Sequence, residues 1–407
     1  MKTTGRSKVA FIKFGGMAFG GTEKVLQTIA SELPKDKYNV DYFYCDAAPY
    51  IGSDYEHIDT DPSRIEYCIN NGVNVIKFNV EFKDITTPTH DWVNTDFWDY
   101  FDESNYDLIV TGRAGHPEYP FTKIKDTKII DTIHLAGFAE NKLNVYKTIL
   151  ISSEQRKKWI KSGGQRKKSL IIPNPVYTVS SDDKFETNDK FVFGMHQRDD
   201  ENIFSHIPLE AYKMIESEET LFMLLGGSDK YKEQAKKLDI KNIKFLPTTP
   251  DIIEIHKFLN SLNVYAHGRK DGEQCSTAII EAMSHGLPLI SHIAPSMGQA
   301  EQISNAGEIA ESSNRYAEIM KKFMEDEDFY NQCVRNSKER YQKIYSLNAV
   351  IRQYIHLFDE AIAFKGYSKY EIFRHYIQNI RNAIYLFSTN LFKFIVKIAK
   401  KIIHLFR

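Results

Sequence analysis

Short apolar runs and longer segments with helical spacing alternate along most of the chain. Val9–Phe14 is an apolar run that leads into a glycine loop, Gly15–Gly21, and then into the helix-like stretch TEKVLQTIASEL. Val40–Cys45, Val73–Phe78, Leu108–Thr111, Ile129–Ile133 and Ile149–Ser152 repeat the strand pattern, with helical segments between several of them. The rhythm is that of strands joined by helical crossovers in a parallel, doubly wound sheet. IIPNPV at Ile171–Val176 closes the series, and residues 177–190 are polar without apolar periodicity, as in a linker. A second series follows, with strands expected at Phe191–Met195, Leu221–Gly227, Ile243–Leu246, Val264–Ala266 and Leu289–Ser291. Helices are expected at Pro208–Ser217 and around 229–238, 251–261 and 276–285, and residues 314–361 read as mostly helical. The pattern therefore predicts an α/β protein of two Rossmann-like domains, 1–176 and 191–350, joined by 177–190. Ligands of open α/β sheets bind beyond the carboxyl ends of the strands.

Charge and cysteine content narrow the function classes. Lys and Arg number 53 against 54 Asp and Glu, so the chain lacks the basic excess of a nucleic-acid binder. Cys45, Cys68, Cys275 and Cys333 are scattered without a C-x-x-C or finger spacing, which argues against a disulfide framework or structural zinc. The run Val9–Ile12 is too short for a signal peptide, and no stretch reaches the length of a spanning helix. A cytoplasmic chain is expected, unless a peripheral anchor holds it at the inner face of the cell membrane.

FGGMAFGGTEK occupies the place of a phosphate loop, after a strand and before a helix. Gly15, Gly20 and Thr22 have Walker A spacing, but Gly21 stands where the lysine belongs. The dinucleotide fingerprint also fails, because Met17 replaces its second glycine; this disfavours a nicotinamide enzyme. An anion site of backbone amides at a helix N-terminus, or a plain tight turn, are the two readings that remain.

The segment HGRKDGEQCSTAIIEAMSHGLPLIS carries more chemistry. Ser276 is a suitable N-cap for a helix that Gly286 and Pro288 stop. Glu273 lies in the loop before this helix and Glu281 lies inside it, among Ala278, Ile279, Ile280, Ala282 and Met283. A carboxylate in such apolar company needs partners. The vicinal hydroxyls of a ribose would supply two charge-assisted hydrogen bonds, and an arginine across a helix contact is the alternative.

The Glu-x7-Glu arrangement followed by AMSHGLPLI resembles the signature of family 4 retaining glycosyltransferases, which have the GT-B fold. The resemblance covers most of residues 8–362 and includes GGTEK, HLAGF, IPNPV, FVFGM followed by Arg198, LLGGSD, NIKFLP and LNVYAHG. It implies an N-terminal domain that receives a glycan or lipid-linked acceptor and a C-terminal domain that binds a nucleotide-diphosphate sugar. The segment 351–366 would be a helix crossing back toward the N-terminal domain. By the resemblance, Glu281 holds the ribose, Glu273 the transferred sugar and Arg198 the diphosphate. Backbone amides of Gln274, Cys275 and Ser276 lie near sugar or phosphates, His134 stands near the reacting centre, and Gly20 and Gly21 form the glycine loop. It also implies front-face substitution with retention, and neither a metal nor a resident cofactor.

Two departures stand out. The lysine usual after the arginine is absent from Arg198-Asp-Asp-Glu-Asn-Ile-Phe, and Arg269 or Lys270 could supply that charge. The usual Phe-Gly after the first glutamate is Cys275-Ser276. Among the other histidines, His196 and His267 are the best candidates for a functional role, because they flank the donor loops. A sugar-nucleotide epimerase, a phosphorylase and an inactive scaffold of the same fold are the competing readings.

Residues 367–407 extend beyond the resemblance. Eight Lys and Arg oppose only Glu371, a net +7 against −8 for the rest of the chain. Lys393, Lys397, Lys400, His404 and Arg407 form one helical stripe, and Leu391, Ile395, Ile398, Ile402 and Leu405 another. A basic amphipathic helix of this kind suits an anionic membrane surface. Packing on the N-terminal domain or on a second subunit is the alternative. The basic run Arg156–Lys168 reads as a solvated face, with an acceptor or membrane patch as the other possibility.

Overall fold

The structure, a computed structural model, describes residues 5–14, 16–18, 21–46, 60–83, 92–113, 123–134, 139, 141–178 and 182–405. The chain divides into two compact units. The first comprises residues 1–150, 155–171 and 353–407, and the second comprises 151–154 and 172–352.

The first unit is built on seven strands: β1 (Ser7–Phe14), β2 (Tyr38–Cys45), β3 (Asn74–Lys77), β4 (Leu108–Arg113), β5 (Ile129–Ile133), β6 (Val145–Leu150) and β7 (Ser169–Ile171). Their order is β3-β2-β1-β4-β5-β6-β7, and every pairing is parallel. Val9 lies opposite Val40 on one side and Leu108 on the other, so β1 is central. Its residues Val9, Ala10, Phe11 and Ile12 are all buried, as a strand covered on both faces requires. Two further strands, Val80–Lys83 and Trp92–Thr95, form a small antiparallel pair apart from this sheet.

The second unit carries β8 (Phe191–Gln197), β9 (Thr220–Gly226), β10 (Ile243–Leu246), β11 (Val264–Ala266), β12 (Leu289–His292) and β13 (Gly307–Ala310). They are ordered β10-β9-β8-β11-β12-β13, again all parallel. Phe193, Phe222, Met223, Leu224, Val264 and Tyr265 are buried along the middle strands. Truncating one such phenylalanine to alanine costs about 3–5 kcal/mol. The expected helices are present at Ile207–Ile215, Asp229–Lys237, Ile252–Asn260 and Thr277–Ser284. Residues 182–190 form no helix or strand, and Phe185 there donates its N–H to Ser261 Oγ at 2.7 Å and packs beneath Lys257.

The helix Leu347–Ala363 carries the chain back into the first unit. There Phe358 packs on Phe11 and edge-on to Tyr38, whose hydroxyl donates to Asp359 at 2.7 Å. The helix Lys369–Leu405 follows; it is described in its backbone throughout and in its side chains as far as Ser388. The four cysteines are buried free thiols.

Candidate active site

The second unit's site is built where β11 ends. The chain leaves Ala266, forms a two-residue strand at Gly272–Glu273 against Ser296–Met297, and enters the helix Thr277–Ser284. Ser276 caps that helix, its Oγ accepting from the Ile279 N–H at 3.4 Å. Two buried glutamines from the helix Gly298–Ile303 clamp the loop. Gln299 accepts from the Glu273 N–H at 3.0 Å, while Gln302 accepts from the Ser276 N–H at 2.7 Å and donates to the Ser276 carbonyl at 3.0 Å. Gly298 makes this approach possible, because a Cβ there would lie 2.0 Å from the Gln274 carbonyl oxygen. The Gln274 side chain donates to Ser296 Oγ at 2.8 Å. A loop tied at both backbone and side chain holds its carboxylate in one place before any ligand arrives.

Glu273 stands within a set of donors. Arg269 Nη1 is 3.0 Å from Oε1, Ser276 Oγ donates to the same oxygen at 3.3 Å, and His267 Nε2 lies at 3.9 Å. Burial opposes ionisation of Glu273, but His267 and Arg269 outweigh it and hold the carboxyl below its ordinary 4.5. His267 is itself buried, with Nδ1 2.8 Å from Ser291 Oγ. Lys270 is exposed, and its N–H donates to the Ile203 carbonyl at 3.1 Å. Arg269, one of the two cations suggested for the missing charge, is thus engaged by the Glu273 carboxylate.

Two turns further along, Glu281 meets His196 rather than an arginine. His196, near the end of β8, places Nε2 2.8 Å from Glu281 Oε2, with its ring edge-on to Tyr265. Two more imidazoles stand near. His256 Nδ1 is 2.7 Å from His285 Nε2, and His285 Nδ1 is 2.6 Å from Asn260 Oδ1. Burial lowers both pKa values, that of His285 to about 4, although the Glu281 charge acts in the opposite direction. Among the described residues His196 is the direct partner of the Glu281 carboxylate, and burial disfavours the charged form of the two rings nearby.

The remaining donor-side residues differ in character. Arg198 is two-thirds exposed and paired with Asp200 at 2.7 Å. Cys275 is buried, its thiol pushed up to about 12 by loss of solvent, so any part it plays toward a ligand falls to its backbone. The Ser276 N–H, expected to face sugar or phosphates, is engaged by Gln302 in this structure.

In the first unit, His134 directly follows β5 and is buried, with Nε2 lacking a hydrogen-bond partner among the described residues. Burial, assisted by the charge of Lys13, lowers its pKa to about 3, so the ring is neutral. Lys13 at the end of β1 is buried and lies 3.3 Å from Glu23. Gly21 opens the helix Gly21–Glu32. Gly20, and the HLAGF turn beyond His134, lie outside the described residues.

Sequence reasoning pointed to His196 and His267 by position but missed the Gln299 and Gln302 clamps, the His256–His285 pair and the buried Lys13–Glu23 pair. A buried lysine at the end of a strand, followed ten residues later by an acid, was the one signal on offer. Among the described residues, no group of three His, Cys, Asp or Glu side chains is disposed to hold a metal ion.

Residues 181–340 match the family described as Glycosyl transferases group 1. The matched segment contains Arg198, Glu273 and Glu281 and most of the second unit. Among solved structures, HepE of Anabaena in complex with UDP and glucose is similar at a TM-score of 0.61 and 16% identity, over 87% of this chain and 100% of that one. A glycosyltransferase from Rickettsia africae reaches 0.66 at 13% identity, over 88% and 99%. Sucrose-phosphate synthase from Thermosynechococcus elongatus gives 0.58 at 16%, over 88% and 100%. The two parallel α/β sheets are those of the GT-B fold. No curated protein sequence matches the chain.

Proposed function

We propose that the protein is a family 4 retaining glycosyltransferase that uses a nucleotide-diphosphate sugar. The observation that carries this reading is the pair of carboxylates, Glu273 on a clamped loop and Glu281 about one turn into the following helix, each with its own donors. In this reading Glu281 accepts hydrogen bonds from the ribose hydroxyls, and Glu273 accepts from hydroxyls of the transferred sugar. Arg198, Lys270 and Arg269 offer positive charge to the diphosphate, where negative charge develops as the leaving group departs. A bond forms between an acceptor hydroxyl oxygen and the anomeric carbon while the bond from that carbon to the phosphate oxygen breaks. The hydroxyl proton passes to the departing diphosphate, and substitution on one face retains the configuration. The reading includes no metal and no resident cofactor, so a chelator should leave turnover unchanged.

The acceptor is a glycan or lipid-linked sugar received by the first unit, with His134 near the reacting centre. The setting is cell-surface polysaccharide or glycolipid synthesis at the inner face of the membrane, to which residues 367–407 bind. The likeness to HepE, whose structure holds UDP and glucose, makes UDP the first nucleotide to test.

A thermal-shift comparison of UDP, GDP, ADP and CMP, and of their sugar conjugates, tests the donor. A ligand at one hundred times its Kd adds about 2.7 kcal/mol to folding. A shift with one nucleotide that disappears in Glu281→Ala supports the reading. An Arg198 held by Asp200, with no lysine after it, favours the second reading, an inactive scaffold. No shift with any nucleotide would establish that second reading instead.

A further inference from the structure

The helix Lys369–Leu405 docks with its polar side inward. Gln165 Nε2 donates to Asn379 Oδ1 at 2.8 Å and lies 3.3 Å from Nδ1 of the buried His375. Asn379 donates to the Asn141 carbonyl at 3.3 Å, and Asn382 donates to the Gly163 carbonyl at 2.7 Å. His375, Asn379 and Asn382 recur at spacings of four and three, so they share one face. The apolar side is turned away from the first unit: Phe373, Tyr376, Ile380, Ile384 and Phe387 are between 56% and 71% exposed. A surface helix ordinarily buries its apolar stripe and presents its polar one. The order here is reversed, and a contiguous exposed apolar strip marks an interaction surface.

By sequence the strip continues. From Phe387 the positions Leu391, Ile395, Ile398, Ile402 and Leu405 keep the same spacing of three and four. A helix of this length extends about 55 Å, and no helix among the described residues is long and apolar enough to cross a membrane. The strip therefore suits a surface along which the helix lies.

Charge selects the surface. The segment carries +7, and its one acid, Glu371, accepts from both the N–H and the hydroxyl of Ser368 at 2.8 Å. The loop that holds Asn379 and Asn382 lies in the basic run Arg156–Lys168, where Lys157, Lys158, Lys161, Arg166 and Lys167 are exposed. A second copy of this face would bring the same positive charge against itself, whereas an anionic bilayer offers the opposite sign and an apolar interior.

We propose that the helix Lys369–Leu405 lies along an anionic lipid bilayer, inserting the face of Phe373, Ile380, Ile384 and Phe387. The inference rests on the membrane part of the reading above and names the side chains that make the contact. The test is co-sedimentation of the full chain with vesicles of phosphatidylcholine, with and without phosphatidylglycerol. The comparison is a variant combining Phe373→Ser, Ile380→Ser, Ile384→Ser and Phe387→Ser. These side chains are exposed, so the variant should keep the wild-type Tm and nucleotide response. Binding of the wild type to the anionic vesicles, weakened at least ~tenfold in the variant, is the expected result. Equal binding by both would overturn this face while leaving membrane attachment through the basic residues. No binding by either would overturn both, and a wild-type dimer that the substitutions dissociate, without vesicle binding, would assign the face to self-association. The nucleotide shift on the same preparations reports the donor site separately.

Discussion

The imidazole of His196 and the carboxylate of Glu281 lie 2.8 Å apart, although 85 residues separate them in the chain. His196 comes from the end of β8 and Glu281 from the middle of a helix, so only the folded second unit brings them together. The contact fixes one carboxylate oxygen and orients the other. His196→Ala is expected to weaken nucleotide binding by ~10-fold, the cost of about one hydrogen bond to a charged group. Turnover at saturating donor should change less. Titration calorimetry with UDP checks the first expectation, and unchanged affinity would mean that Glu281 is placed without His196.

Glu273 calls for the opposite pattern. Glu273→Gln keeps the shape but removes the charge that Arg269 and His267 stabilise. Because this carboxylate is assigned to the transferred sugar, affinity for UDP should stay within ~twofold of wild type while kcat falls by ~100-fold or more. Equal losses in UDP affinity and in turnover would place Glu273 at the nucleotide.

Gly298→Ala tests the clamp. The added Cβ would meet the Gln274 carbonyl oxygen at 2.0 Å and the Glu273 carbonyl oxygen at 2.5 Å, both backbone atoms. The loop must shift, and with it the Gln299 and Gln302 hydrogen bonds. A loss of ~2 kcal/mol or more in stability is expected, together with a lowered kcat. Chemical denaturation and steady-state rates measure the two effects, and a variant unchanged in both would show that the loop is free to move.

His134 predicts a pH dependence of stability in the first unit. Its pKa falls from an ordinary 6.5 to about 3 in the fold. Below pH 6.5 the unfolded chain takes up a proton that the folded chain refuses, so stability falls as pH drops from about 6.5 toward 3. At pH 5 the loss is about 2 kcal/mol. His134→Gln should remove this contribution, and the stability difference between the two proteins should shrink by that amount between pH 7 and pH 5. All three tryptophans, Trp92, Trp98 and Trp159, belong to the first unit, so their fluorescence during urea unfolding reports the relevant transition. Parallel pH profiles for the two proteins would refute the assignment.

Much of the local structure was legible in the chain. The helix after Ser276 begins where the serine can cap it and ends at Gly286, whose φ of +71° is costly for other residues. The strands expected at Phe191–Met195, Ile243–Leu246 and Val264–Ala266 are present with shifts of at most two residues. Ile149–Ser152 was displaced, because Ile151 and Ser152 follow the end of β6 at Leu150. The strand Gly307–Ala310 was missed, since four residues that include Gly307 and Glu308 give too weak an alternation to see.

The sequence by itself determined most of the strands and helices, where the two carboxylates fall relative to a helix start, and that the segment of the C-terminal helix Lys369–Leu405 is basic with two unlike faces. These are properties of spacing and composition within a few turns of chain, and the backbone alone enforces them. The tertiary structure decided which partner each carboxylate takes, that Gln299 and Gln302 hold the loop, and that the C-terminal helix turns its apolar face outward. An amphipathic period specifies two faces but not which of them meets the protein. That choice was made by Asn141, Gly163 and Gln165, more than two hundred residues away, whose polar groups needed the hydrogen bonds that His375, Asn379 and Asn382 supply.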